Sequence, residues 1–81
     1  MRLTVQVFAR LRDLAGRSEW PCDVPAGATI ADVWRQSAAA HPALAGFTTS
    51  VSCARNEDFA RMTTAVEDGD VIAFLPPVSG G

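Results

Sequence analysis

From Arg2 the chain alternates, with Leu3, Val5 and Val7 set against Thr4, Gln6 and Phe8. Successive side chains of a strand point to opposite faces, so this pattern predicts a first strand with one buried face. Arg10 to Ala15 reads as a short helical turn closed by Gly16, a residue suited to the left-handed position just past a helix end. Ser18 to Val24 returns as a second strand, and Pro21, which has no amide hydrogen to give a neighbour, assigns it to a sheet edge. After the turn Pro25-Ala26-Gly27, Thr29 and Asp32 form a capping-box pattern that starts a helix. Ile30, Val33, Trp34, Ser37, Ala38 and His41 share one stripe of that helix, and Pro42 stops it after His41. Residues 43–49 read as a loop, Ser50 to Arg55 and Asp58 to Met62 as short strands, and Glu67-Asp68-Gly69-Asp70 as a turn. The unbroken apolar run Val71 to Leu75 predicts a central strand covered, at least in part, on both faces. Two N-terminal strands, one long helix and further short strands make an α+β domain with the helix on one sheet face.

Composition narrows the chemistry. With 48 % hydrophobic and 20 % charged residues, the 81-residue chain has the balance of a single domain that packs its own core. No apolar run approaches the roughly 18 residues of a membrane span, and the N-terminus lacks the pattern of a signal peptide, so a cytoplasmic location is expected. The net charge is −2, which makes nucleic acid a poor partner. Cys22 and Cys53 lie far apart with no metal-binding spacing and read as small buried hydrophobes. All seven basic residues are arginine, so no ε-amino group is available as a nucleophile, a Schiff-base former or an isopeptide acceptor. There is no Gly-rich phosphate loop and one histidine, and autonomous catalysis is not expected.

The last six residues, Pro76-Pro77-Val78-Ser79-Gly80-Gly81, carry a different signal. Two prolines favour an extended exit from the final strand, and two glycines end the chain without side chains. Such an end is expected to be thin and flexible, able to enter a channel in which any Cβ would collide. The reactive group would then be the terminal carboxylate of Gly81. The organisation expected is therefore a domain over residues 1–75 with an extended tail over 76–81.

Three segments carry a resemblance that spans the chain. They are Phe8-Ala9-Arg10-Leu11-Arg12-Asp13-Leu14-Ala15-Gly16 after the first strand, Asn56 between the middle strands, and Glu67 to Gly81 as final turn, strand and tail. In these the chain resembles the molybdopterin synthase small-subunit branch of the ubiquitin-like β-grasp sulfur carriers. Cys53-Ala54-Arg55 is more polar than that family's usual lead into the asparagine, and Trp20-Pro21-Cys22 is unusual in its second strand. Thiazole-pathway sulfur carriers are similar in fold and tail but lack the segment after the first strand and Pro-Pro-Val-Ser.

The resemblance implies a β-grasp fold, a mixed sheet with one main helix on one face. It also implies a role as sulfur carrier in molybdenum-cofactor biosynthesis. A ubiquitin-activating-like adenylyltransferase would use ATP to adenylate Gly81, and a persulfide donor protein would convert it to a thiocarboxylate. The large synthase subunit, joined with this chain in a heterotetramer, would deliver the sulfur to a pterin precursor. No cofactor is expected on this chain itself. Gly80, Ser79, Val78, Pro77 and Pro76 would thread the tail into partners. Thiazole synthesis and protein modification remain the alternatives.

By the parity of their strands, Phe8 and Leu75 point away from the helix. With Phe59 they are expected to form an exposed apolar partner surface. Packing of Phe8 under the following helical turn is an equal alternative for that residue. Arg10 and Arg12 read as solvated charges, or as partner salt bridges in the sharper reading. His41 reads as a helix-end residue, Asp68 and Asp70 as turn formers, and Trp34 as core.

Overall fold

The computed structural model describes residues 1–77. Strand β1 (Arg2–Val7) is followed by helix α1 (Ala9–Ala15), strand β2 (Glu19–Asp23) and helix α2 (Ile30–Ala40). A 3-10 helix, Pro42–Phe47, then leads to strands β3 (Ser52–Arg55), β4 (Asp58–Ala60) and β5 (Val71–Leu75). The five strands form one mixed sheet in the order β2-β1-β5-β3-β4. Its two central strands, β1 and β5, run parallel, with Thr4 opposite Val71 and Val7 opposite Phe74. All other pairs are antiparallel.

The alternation of β1 is realised: Leu3, Val5 and Val7 are buried while Arg2, Thr4 and Gln6 are not. They meet Ile72 and Phe74 of β5, Ile30, Val33 and Trp34 of α2, and Leu11 and Leu44 in one core. Trp34 sets its ring edge-on to Phe74 at 4.9 Å and donates its indole N–H to Thr48 Oγ1 at 3.0 Å. The start of α2 is fixed as read, since Asp32 accepts the Thr29 amide at 2.9 Å and the Asp32 amide donates to the Thr29 carbonyl. Gly16 closes α1 at φ 76, the left-handed geometry that glycine adopts without strain.

Pro21 does sit on an edge strand. It lies opposite Thr4, whose own amide turns to the other side and donates to the Asp70 carbonyl, so this pair asks no hydrogen of the proline.

Three boundaries differ from the expectation. Residues 43–49 are not a loop throughout, because Pro42 opens a 3-10 helix instead of ending regular structure. Proline suits a first helical position, where its missing N–H has no partner to lose, and the fully buried Leu44 holds the segment to the core. Strand β3 begins at Ser52, since the Ser50 and Val51 amides are taken by the Phe47 carbonyl. Strand β4 ends at Ala60, since the Arg61 amide donates to Thr64 Oγ1 in a turn. Val71, Ala73 and Leu75 are half-buried, so the second face of β5 is covered only in part. Among the described residues no helix is long and apolar enough to cross a membrane.

Candidate functional site

The face of the sheet away from α2 is built by register. Gln6 lies opposite Ala73, Ala73 opposite Ala54, and Ala54 opposite Phe59, which makes one row across β1, β5, β3 and β4. The two alanines leave the centre of that row low. Phe8, Leu75 and Phe59 stand around it, enclosing with Gln6, Glu57 and Val71 a shallow depression of about 270 Å³. Phe59 is 83 % exposed and Phe8 41 % exposed. Phe8 therefore does not disappear beneath α1, whose N-terminus it caps in extended conformation. Exposed aromatic side chains beside an apolar depression have the composition of a docking surface.

Chain direction ties this face to the tail. Strand β5 runs through the middle of the sheet and passes from Leu75, on the rim of the depression, into Pro76 and Pro77. Of the tail residues singled out by sequence, Pro76 is half-buried and Pro77 exposed. Val78, Ser79, Gly80 and Gly81 lie outside the described residues. Arg10 and Arg12 project from the exposed side of α1, and among the described residues neither forms an ion pair.

The start of β5 is held by a polar cluster that joins Arg55 and Asn56 to the turn Glu67 to Asp70, residues that the sequence singles out without linking them. Asn56 and Glu57 make the β3–β4 hairpin turn with φ of 49° and 75°, a geometry in which asparagine is favoured at the first position. The Asn56 amide donates to the Val71 carbonyl, and Asn56 Oδ1 accepts the Val71 amide, both at 2.9 Å. Its Nδ2 donates to Asp70 Oδ1 at 3.0 Å. Asp70, 5 % exposed, also accepts Arg55 Nε at 2.6 Å and the Glu67 amide at 2.7 Å. Burial alone would push the Asp70 carboxyl up, but Arg55, the Glu67 amide and Asn56 together hold it below the usual carboxylate range. Asp70 is thus more than a turn former. The polar Arg55 that departs from the family pattern has its partner here, and Glu67 adds a second, exposed carboxylate 3.2 Å from the same guanidinium. Asp68 caps the turn by accepting the Arg2 amide at 2.8 Å.

Neither cysteine joins the open face. Both are buried, Cys22 Sγ donating to Gln36 Oε1 and Cys53 Sγ to the Ala60 carbonyl, each at 3.3 Å. Burial pushes both thiols up, with the Asp23 charge adding to the effect at Cys22. His41 ends α2 half-buried, its ring 4.6 Å from that of Trp20.

The profile of the ThiS family matches residues 5–81. The chain belongs to that family. It is 37 % identical over the full length of both chains to a molybdopterin synthase sulfur carrier subunit of Chlamydomonas reinhardtii. It is 33 % identical to the small archaeal modifier protein 1 of Haloferax volcanii, with 94 % of this chain and 97 % of that one covered. A crystal structure of that modifier superposes with a TM-score of 0.90 at 31 % identity, covering both chains completely. The ThiS-family chain described here therefore has the ubiquitin-like β-grasp architecture that its sequence led one to expect.

Proposed function

We propose that this chain is the sulfur-carrying subunit of a molybdopterin synthase and that its working group is the carboxylate of Gly81. The observation that carries the reading is the full-length similarity to a sulfur carrier subunit, in a chain whose central strand runs past an apolar docking face into Pro-Pro-Val-Ser-Gly-Gly.

A terminal carboxylate is ionised at neutral pH and is a poor electrophile. An activating enzyme would couple it to the α-phosphate of ATP, releasing pyrophosphate. A persulfide donor would then displace AMP, and a thiol would free the donor to leave a thiocarboxylate. The large synthase subunit would hold the tail while sulfur passes to a pterin precursor. In this reading the depression around Phe8, Phe59 and Leu75 is the contact surface, and the exposed Arg10 and Arg12 of α1 form ion pairs with the partner. The chain binds and presents, and the partners supply catalysis.

Intact-mass measurement after incubation with an activating enzyme, ATP and a persulfide donor tests this directly. The expected product has one oxygen replaced by sulfur, placed on Gly81 by fragmentation; an unchanged mass with an enzyme that charges a known carrier would reject the reading. The contact surface is checked separately. Phe59→Ser should change unfolding by no more than about 0.5 kcal/mol, because an exposed ring contributes little to the fold. It should weaken binding of the large subunit by roughly 30-fold, the effect of removing an aromatic anchor.

Similarity to an archaeal modifier protein favours a second reading, in which the same activated tail is joined to amines of other proteins. Covalent conjugates that vanish when Gly81 is deleted would support it. A thiazole-pathway destination would be distinguished by co-purification with a different synthase.

A further inference from the structure

The charged side chains are sorted by sign along the central strand β5. All seven arginines and nine acids lie among the described residues, and two pairs, Arg2 with Asp23 and Arg35 with Asp32, cancel where they stand. Register places the rest. Strand β1 ends at the Phe74 level of β5, so α1 and the turn after it, with Arg10, Arg12, Asp13 and Arg17, lie at the end where Leu75 passes into Pro76. The Ser18 carbonyl, which accepts the Val7 amide at 3.0 Å, fixes the same level. Ala60 stands opposite Cys53 and Cys53 opposite Phe74, which brings Arg61 to this end as well. Glu19, opposite Gln6, is one residue further in. Four arginines against two acids give this end a net charge of +2.

The opposite end has the other sign. There the β3–β4 turn meets the start of β5, the Asn56 amide donating to the Val71 carbonyl. Glu57, Asp58, Glu67, Asp68 and Asp70 gather around Arg55 alone, a net charge of −4. Asp70 is buried against Arg55, whereas the other four acids are exposed. From Val71 to Leu75, four steps of about 3.3 Å set the two ends at least roughly 13 Å apart. That exceeds the screening length of about 8 Å at physiological ionic strength, so a partner meets two poles and not their average. Glu57 stands where the negative pole reaches the docking face. With Gln6 and Val71 it lines the apolar depression, and the same three residues together with Asn56 line an adjoining hollow of about 350 Å³.

We infer that this polarity sets the direction in which the sheet face docks on the large synthase subunit. The surface that fits carries acids around the point where the tail enters and a cation, arginine or lysine, that meets Glu57 in the adjoining hollow. Seated the other way round, the face would set like charges against each other at both ends. The inference rests on the reading of the chain as a synthase subunit. It supplies what the apolar depression does not, because hydrophobic burial has no direction of its own. Charges of this kind act mainly on the rate of encounter, whereas the aromatic rim acts on the lifetime of the complex.

Stopped-flow association of the full chain with the large subunit tests this. Arg10→Glu with Arg12→Glu, and Glu57→Lys with Asp58→Lys, change the net charge by equal amounts in opposite directions, and all four residues are exposed. Under steering by polarity, both double variants should associate roughly tenfold more slowly than wild type at about 0.1 M salt. The variant combining all four changes keeps the wild-type net charge and should be slower still. At about 1 M salt, where the screening length is about 3 Å, all four proteins should associate alike, which also shows that the variants are folded. Phe59→Ser should instead raise the dissociation rate. Opposite effects of the two double variants would assign the rate to net charge and overturn the inference. An unchanged rate in either of them, or a difference that persists at high salt, would overturn it too, as would slowing seen with the activating enzyme and not with the large subunit. Wild type that does not bind the large subunit at all would reject the functional reading, and the inference with it.

Discussion

Replacing Asp70 with alanine is expected to lower the free energy of unfolding by roughly 2–3 kcal/mol, the effect of leaving several buried or charged donors without their acceptor. The donors left behind are Arg55, the Asn56 side-chain amide and the Glu67 backbone amide. For a domain of this size that corresponds to a fall of roughly 10–20 °C in the unfolding midpoint. Trp20 and Trp34, both in the core, give a fluorescence signal with which to follow it. Asp70→Asn, which keeps one acceptor oxygen, should lose less.

The same site gives an acid dependence. Unfolded, the Asp70 carboxyl titrates near 3.8; folded, it is held lower despite its burial. Its contribution is therefore complete above the unfolded value and disappears as the pH falls through the folded one. Wild type should lose stability more steeply than Asp70→Ala on acidification below about pH 4. Parallel acid curves for the two proteins would show that Asp70 is not the group responsible. Asp23 and Asp32 are also held low and titrate in both proteins, so the difference between the curves isolates Asp70.

This cluster also marks where sequence reading stops. The alternation of β1, the cap at Thr29 and Asp32 and the glycine after α1 are signals within a few residues, and each was legible. Arg55 and Asp70 stand fifteen positions apart and meet only because β3 pairs antiparallel with β5. An Asp-Gly-Asp turn says nothing by itself about which arginine will fold against it. The segment after Pro42 reads as a loop in sequence for a similar reason. Its 3-10 form depends on Leu44 filling the core, whereas the local signal, a proline after a helix, is shared by stops and new starts. The open face was legible in outline, since strand parity sent Phe8 and Leu75 away from α2. Its depression was not, because that depends on Ala54 and Ala73 arriving side by side through register.

Deleting Gly81 is expected to abolish sulfur transfer while leaving the fold as it is. Among the described residues the last ladder pair is Ser52 with Leu75 and the last core residue is Phe74, so unfolding should shift by no more than about 0.5 kcal/mol. The chemical effect is much larger. Removal of one residue moves the carboxylate back by about 3.5 Å along an extended chain. A misplacement of 1 Å can already slow a positioned reaction by about 100-fold, so transfer by the shortened chain should fall below that of wild type by at least this factor. Gly81→Ala separates reach from width. It keeps the carboxylate at its distance and adds only a Cβ, so a comparable loss would place the restriction in the partner's channel. Near-normal transfer by Gly81→Ala with none by the deletion would place it in reach alone. Either result makes the last residue a substrate of the partner enzymes. Full transfer by the shortened chain would remove Gly81 from the mechanism.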